Sequence, residues 1–217
     1  MYQTIIFDLD GTLLNTLDDL KDAVNDILQK YGYPERNMDE IRNFVGNGLK
    51  LLMERALPYS VNQEQFDKMF GEFKDYYFAH CNIKTKPYPG ILKLLRQLKE
   101  IGYKLAIVSN KADGAVNELA ELHFSKIFDY CVGEREGVRR KPNPDSVLQV
   151  LNELKTDNSK ALYVGDSEID FETAKRSSLN CILVSWGFRN KEILYKFSPL
   201  GIIDEPEELF YYLNLQS

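Results

Sequence analysis

Short apolar runs rich in β-branched residues recur along the chain, at residues 4–8, 104–109, 129–132, 161–165, 181–185 and 201–204. Most are continuous rather than alternating, the pattern of parallel strands whose two faces are both covered by helices. Between them the apolar period becomes helical. One helix is expected to follow Pro89-Gly90 and stop at Gly102, and another to open at Pro144 behind Asn143, carrying Val147, Leu148, Leu151 and Leu154. Strand and helix in alternation predict an α/β fold built on a doubly wound parallel sheet.

Between the first strand and Pro87 the pattern changes. Leu17, Leu20, Val24, Ile27, Leu28 and Tyr31 keep helical spacing until Gly32 and Pro34 end it. Asn37 with Glu40 three residues on marks a second helix start, Pro58 closes the segment after residues 49–57, and Asn62 with Gln65 opens a third helix. The aromatics of that helix, Phe66, Phe70, Phe73, Tyr76 and Tyr77, read mainly as core. The expectation is a core of residues 1–14 and 85–217 with a small helical domain, residues 15–84, inserted in it.

The chain has 217 residues, with 27 Lys and Arg against 33 Asp and Glu, a net charge of −6. That balance argues against nucleic acid or an anionic membrane as partner, yet leaves room for a small anion in a locally positive pocket. Three cysteines without a C-x-x-C spacing exclude a disulfide framework and a cysteine zinc site. No apolar run approaches the ~20 residues that cross a bilayer, and the N-terminus lacks the basic start of a signal peptide. A soluble cytoplasmic protein, monomer or homodimer, is expected.

Chemistry is sought where the strands end, because open α/β sheets bind ligands outside their carboxyl ends. There the chain offers Asp8-Leu9-Asp10-Gly11-Thr12, then Ser109-Asn110-Lys111, then Lys141-Pro142, then Gly165-Asp166-Ser167-Glu168-Ile169-Asp170. Asp8 and Asp10 share one face of an extended segment, and Gly11 lets the backbone turn away. Asp166 and Asp170, four apart, are expected on one face of a helix start. Carboxylates gathered without His or Cys select a hard cation, and Mg²⁺ where phosphate is the co-ligand. With Lys141 and the Ser109 hydroxyl they suggest phosphoryl transfer, with Asp8 attacking phosphorus, Asp10 as acid and base, and Lys141 and Ser109 stabilising and positioning the group. Each motif also has a plainer reading. Asp-Gly is a common turn, Asp166 and Asp170 suit a helix N-cap and first turn, and a lone lysine is usually solvated.

The four motifs, in this order and over nearly the whole chain, resemble those of the haloacid dehalogenase superfamily. The resemblance implies a Rossmann-like core, a helical cap after the first motif, and a metal held by Asp8, the Asp10 main-chain carbonyl and Asp166, with Asp170 behind them. It further implies nucleophile Asp8 and acid/base Asp10, a pair the dehalogenases proper lack, and Gly11, Thr12 and Asn110 at the phosphate. Phe44-Val45-Gly46-Asn47-Gly48-Leu49 and Val184-Ser185-Trp186-Gly187 are similar to segments of the phosphoglycolate phosphatase-like subfamily, with Gly46, Asn47 and Gly48 as the substrate loop. Asn15-Thr16 and Ala112-Asp113 depart from its usual pattern. The expected activity is hydrolysis of a small phosphorylated metabolite, 2-phosphoglycolate first. Its rivals are a nucleotide, sugar phosphate or pyrophosphate as substrate, a phosphomutase, or a non-catalytic phospho-binding module.

Overall fold

The computed structural model describes residues 1–46 and 48–214. In chain order the elements are β1 (Thr4–Phe7), β2 (Leu14–Asn15), α1 (Leu17–Lys30), α2 (Met38–Phe44), α3 (Leu49–Ala56), α4 (Gln63–His80), β3 (Lys86–Pro87) and α5 (Ile91–Ile101). They continue with β4 (Lys104–Ala112), α6 (Asp113–Phe124), β5 (Tyr130–Glu134), α7 (Asp145–Glu153), β6 (Ala161–Gly165), α8 (Glu168–Arg176), β7 (Asn180–Val184), α9 (Lys191–Leu194), β8 (Gly201–Ile203) and α10 (Leu209–Asn214). The chain divides into two compact units, residues 1–14 with 87–217, and residues 15–86.

In the first unit six strands form one sheet in the order β5-β4-β1-β6-β7-β8. Every adjacent pair is parallel, as the continuous apolar runs predict. Alternate residues feed two apolar layers. Ile5, Phe7, Leu105, Ile107, Leu162 and Val164 pack on one face with α5 and α6. Ile6, Ala106, Val108, Val132, Tyr163 and Leu183 pack on the other with α7 and α8. β1 lies in the middle, with Phe7 in register with Ile107 on one side and Val164 on the other. The residues that follow β1, β4 and β6 therefore emerge side by side at one edge of the sheet.

Two elements differ from their sequence reading in ways that matter there. β4 does not stop at Ser109; it runs on to Ala112 with a register shift between Val108 and Ala112, so Ser109, Asn110 and Lys111 lie in an irregular stretch of strand. Helix α8 begins only at Glu168, with Ser167 as its N-cap in a capping box with Asp170. Asp166 precedes the helix, so it shares no helix face with Asp170.

Among the described residues the second unit has four helices. Both expected helix starts are capping boxes, Asn37 with Glu40 and Asn62 with Gln65. Phe66, Phe70, Phe73 and Tyr77 stack along α4 with ring centroids 5.7, 6.3 and 5.9 Å apart, and all but Phe70 are buried. The buried Asp19 carboxylate accepts from Lys84 N, Thr85 N and Thr85 Oγ1, which ties the end of the unit back to α1. No helix among the described residues is long and apolar enough to cross a membrane.

Candidate active site

Asp8 leaves the end of β1 beside the ends of β4 and β6, and three other motifs meet it there. One oxygen each of Asp8, Asp166 and Asp170 lies within 4.8 Å of the others. All three residues are buried, at 8%, 1% and 1% exposure. Lys141 Nζ enters the cluster, 2.7 Å from Asp8 Oδ1 and 2.8 Å from Asp170 Oδ1. Its third contact is the Tyr163 hydroxyl at 3.1 Å, so the three protons of the ammonium all have oxygen partners.

The electrostatics follow from burial. Removal from water disfavours charge on a carboxylate, and this pushes Asp8 up to about 7 despite the pull of Lys141, with Asp170 and Asp10 adding to the rise. Asp166 is raised well above the usual carboxylate range, by burial first and then by Asp170 and Asp8. Burial alone would lower Lys141, but Asp170 and Asp8 outweigh it and hold the ammonium well above its ordinary value. One ammonium thus faces three crowded carboxyl groups that resist ionising together while no cation is present. Their all-oxygen donor set, ionised as a cation binds, fits a hard divalent metal.

Asp170 and Asp166 are held by main-chain donors as well as by charge. Asp170 Oδ2 accepts from Asp166 N, Ser167 N and Ser167 Oγ, the last at 2.6 Å. With Lys141 and Tyr163 on Oδ1, Asp170 has little capacity left and stands behind the other two. Asp166 Oδ2 accepts from Phe188 N at 2.6 Å. The loop that supplies this donor is itself pinned, because Trp186 Nε1 donates to the Thr12 carbonyl at 3.0 Å. Between these two contacts a Cβ on Gly187 would stand 2.3 Å from Asp166 Cβ and 2.6 Å from the Gly11 carbonyl. Arg189 pairs with Glu168 at 2.8 Å close by.

The remaining expected residues have definite places. Asp10 is paired with Lys111, Nζ to Oδ1 at 3.0 Å. Ser109 is buried, and its Oγ accepts from Lys111 N. The Thr12 hydroxyl is buried without a partner. Gly11 and Asn110, expected at the phosphate, also make contacts within the protein. Gly11 N donates to Leu14 O, and its φ of +92° brings the backbone so near Asp166 that a Cβ would lie 2.5 Å from Oδ2. Both poles of the Asn110 amide grip the Lys141 main chain, accepting from its N at 2.9 Å and donating to its O at 3.2 Å. Gly46 and Gly48 belong to the second unit, with φ of +107° and +86°, and Asn47 lies outside the described residues.

Sequence reasoning assigned no role to Tyr163, Trp186, Phe188 or Arg189. The signal for Tyr163 was a hydroxyl inside an otherwise apolar strand; the Phe188 contact uses a main-chain N–H and has no sequence signature.

The parallel sheet gathers buried carboxylates and a lysine at its carboxyl edge, and residues 5–184 match the haloacid dehalogenase-like hydrolase family. The chain belongs to that family. It is similar to the phosphoglycolate phosphatase of Aquifex aeolicus, 35% identical over 187 residues that cover 86% of each chain. It is also similar to the phosphoglycolate phosphatase of Psychrobacter arcticus, 32% identical over 97% of this chain and 95% of that one. A crystal structure from Lactobacillus delbrueckii subsp. bulgaricus, provisionally named a phosphoglycolate phosphatase, superposes with a TM-score of 0.92 at 37% identity over 98% of each chain.

Proposed function

We propose that the protein is a Mg²⁺-dependent phosphomonoester hydrolase that works through an aspartyl-phosphate on Asp8, with 2-phosphoglycolate as its preferred substrate. The observation that carries this reading is the buried Asp8 carboxylate held at 2.7 Å by Lys141, with a second acid, Asp10, two residues on. In the first step an Asp8 carboxylate oxygen attacks phosphorus, the bond from phosphorus to the alkoxide oxygen breaks, and Asp10 gives that oxygen its proton. In the second step Asp10 takes a proton from water, the water oxygen attacks phosphorus, and Asp8 leaves as carboxylate. Lys141 offsets charge on the transferring group, and the Ser109 hydroxyl positions it.

Asp8, the Asp10 carbonyl and Asp166 would hold Mg²⁺, with Asp170 orienting the set from behind. The cation supplies charge neutralisation that lets two anions, carboxylate and phosphate, approach each other. The helical segment 15–84 is read as the cap that selects the leaving group, with Gly46, Asn47 and Gly48 as its substrate loop. The names of the relatives support 2-phosphoglycolate as substrate.

Phosphate release from 2-phosphoglycolate, sugar phosphates, nucleotides and pyrophosphate, with and without Mg²⁺, tests the proposal. Metal-dependent turnover with 2-phosphoglycolate best by kcat/KM is expected. Another preferred substrate would overturn the substrate assignment and leave the chemistry standing. No turnover by a folded, Mg²⁺-binding protein would overturn both.

A further inference from the structure

Tyr163 sits in the middle of β6 with its ring in an apolar layer made by Ile6, Ala106, Val108, Val147 and Leu183 among others, and it is wholly buried. Phenylalanine would fill that position equally well, and a buried hydroxyl costs stability unless it is hydrogen-bonded. The Tyr163 hydroxyl has three partners, all at the carboxyl edge of the sheet: Lys141 Nζ at 3.1 Å, Asp170 Oδ1 at 3.3 Å and Val108 O at 3.4 Å. An ammonium has no acceptor and a phenol has one proton, which fixes the directions. Tyr163 donates to Asp170 or to the Val108 carbonyl, and its lone pair accepts a hydrogen bond from Lys141 Nζ.

Of the three Lys141 partners, Asp8 is the one that a substrate or cation would also engage, so its hold on Nζ changes during a reaction cycle. The phenol is neutral and lies beneath the cluster. Like Asp170, which stands behind the other acids, it has no competing ligand. At the other end of the same residue, Asn110 grips the Lys141 main chain through both poles of its amide. Lys141 is thereby fixed at its backbone from β4 and at its tip from β6, and its long flexible stem is left with one position for the charge.

We propose that Tyr163 is a positioning residue that, with Asp170, holds the Lys141 ammonium in place while its Asp8 partner changes. The inference rests on the reading of Lys141 as the group that stabilises the transferring phosphoryl, and its test must separate the two.

Tyr163→Phe removes only the hydroxyl and keeps the ring, so the fold is expected to hold, with the melting temperature lowered only by the one Lys141 N–H left unpaired. The Lys141 side chain is followed directly by ¹⁵N-lysine NMR, with the Nζ signal assigned by its loss in Lys141→Arg. In the wild type, with and without Mg²⁺, this ammonium should exchange its protons more slowly than the surface lysines, and in Tyr163→Phe it should join them. Kinetically, Tyr163→Phe should lower kcat about tenfold, with KM changed less than about twofold. In a Lys141→Met background it should have no further effect, because its route of action is gone. An unchanged Nζ signal in Tyr163→Phe overturns the proposal, as does a wild-type ammonium that exchanges like surface lysines, or an equal loss of kcat with and without Lys141. If no phosphomonoester is turned over, the function reading fails, and the NMR arm still decides the fate of Tyr163.

Discussion

Lys111 Nζ lies 3.0 Å from Asp10 Oδ1 and 3.4 Å from Oδ2, and the lysine side chain is only 7% exposed. The two residues are brought together because β4 pairs with β1 and continues past the point where β1 ends. In the proposed mechanism Asp10 hands a proton to one oxygen and takes one from another, which needs a fixed orientation, and this lysine is placed to supply it from the neighbouring strand. Lys111→Met should therefore lower kcat by roughly one to two orders of magnitude with the fold intact. Steady-state kinetics on the best substrate of the panel check this, and kcat within twofold of wild type would remove Lys111 from the machinery.

Gly187 is where the loop after β7 touches the acid cluster, with the Asp166 side chain and the Gly11 carbonyl both inside the space a Cβ would need. Neither neighbour can yield freely, since Asp166 is bonded to Phe188 N and Gly11 to Leu14 O. Gly187→Ala should cost about 1–3 kcal/mol of stability through overpacking, and displace Asp166 as well. Urea melts check the first effect; a weaker apparent Mg²⁺ affinity in calorimetry checks the second. A variant as stable as wild type with the same affinity would show that the loop moves aside easily.

A cation that binds only the folded state raises its stability with concentration. Mg²⁺ should therefore raise the melting temperature of chelator-treated protein, and Asp166→Asn should abolish most of that rise. Asp170→Asn should weaken it through a different route, by releasing Ser167, Tyr163 and Lys141. Thermal scans across a Mg²⁺ titration decide this. A melting temperature independent of Mg²⁺ in the wild type would count against a resident cation at these acids.

The sheet could be read from the sequence because its strands are continuous apolar runs, and the helices of the insertion because Asn37 with Glu40 and Asn62 with Gln65 close boxes within four residues. Short-range rules suffice for such features. The acids were legible as residues, but the way they meet was not. Asp166 reaches Asp170 because it lies outside the helix, where its N–H can donate to the carboxylate Oδ2. The contacts of Asn110 show the same limit. An amide beside a strand end reads as a ligand contact, and only the return of residue 141 from thirty-one positions away shows which partner it has. Tyr163, Trp186 and Phe188 act through contacts made across the fold, where sequence spacing carries no information.

The raised Asp8 carboxyl makes stability depend on pH in a direction that can be worked out. In the folded, metal-free protein Asp8 titrates at about 7, against 3.8 for an unperturbed aspartate. Between those values the folded state binds more protons than the unfolded one, so stability falls as pH rises. The contribution of protonated Asp8 is complete below about pH 4 and gone above about pH 7; over that window it amounts to a few kcal/mol on the order-of-magnitude scale of linkage. An asparagine at this position has no proton to lose over the same range. Metal-free Asp8→Asn should therefore gain stability relative to wild type as pH is raised from 5 to 8, by urea melts at each pH, even as the same substitution lowers turnover about a thousandfold or more. Adding Mg²⁺ at pH 8 should narrow the gap, because a cation favours the ionised carboxylate that only the wild type has. A stability difference that stays flat across this pH range would mean that Asp8 is already ionised in the metal-free fold, with Lys141 rather than burial setting its state.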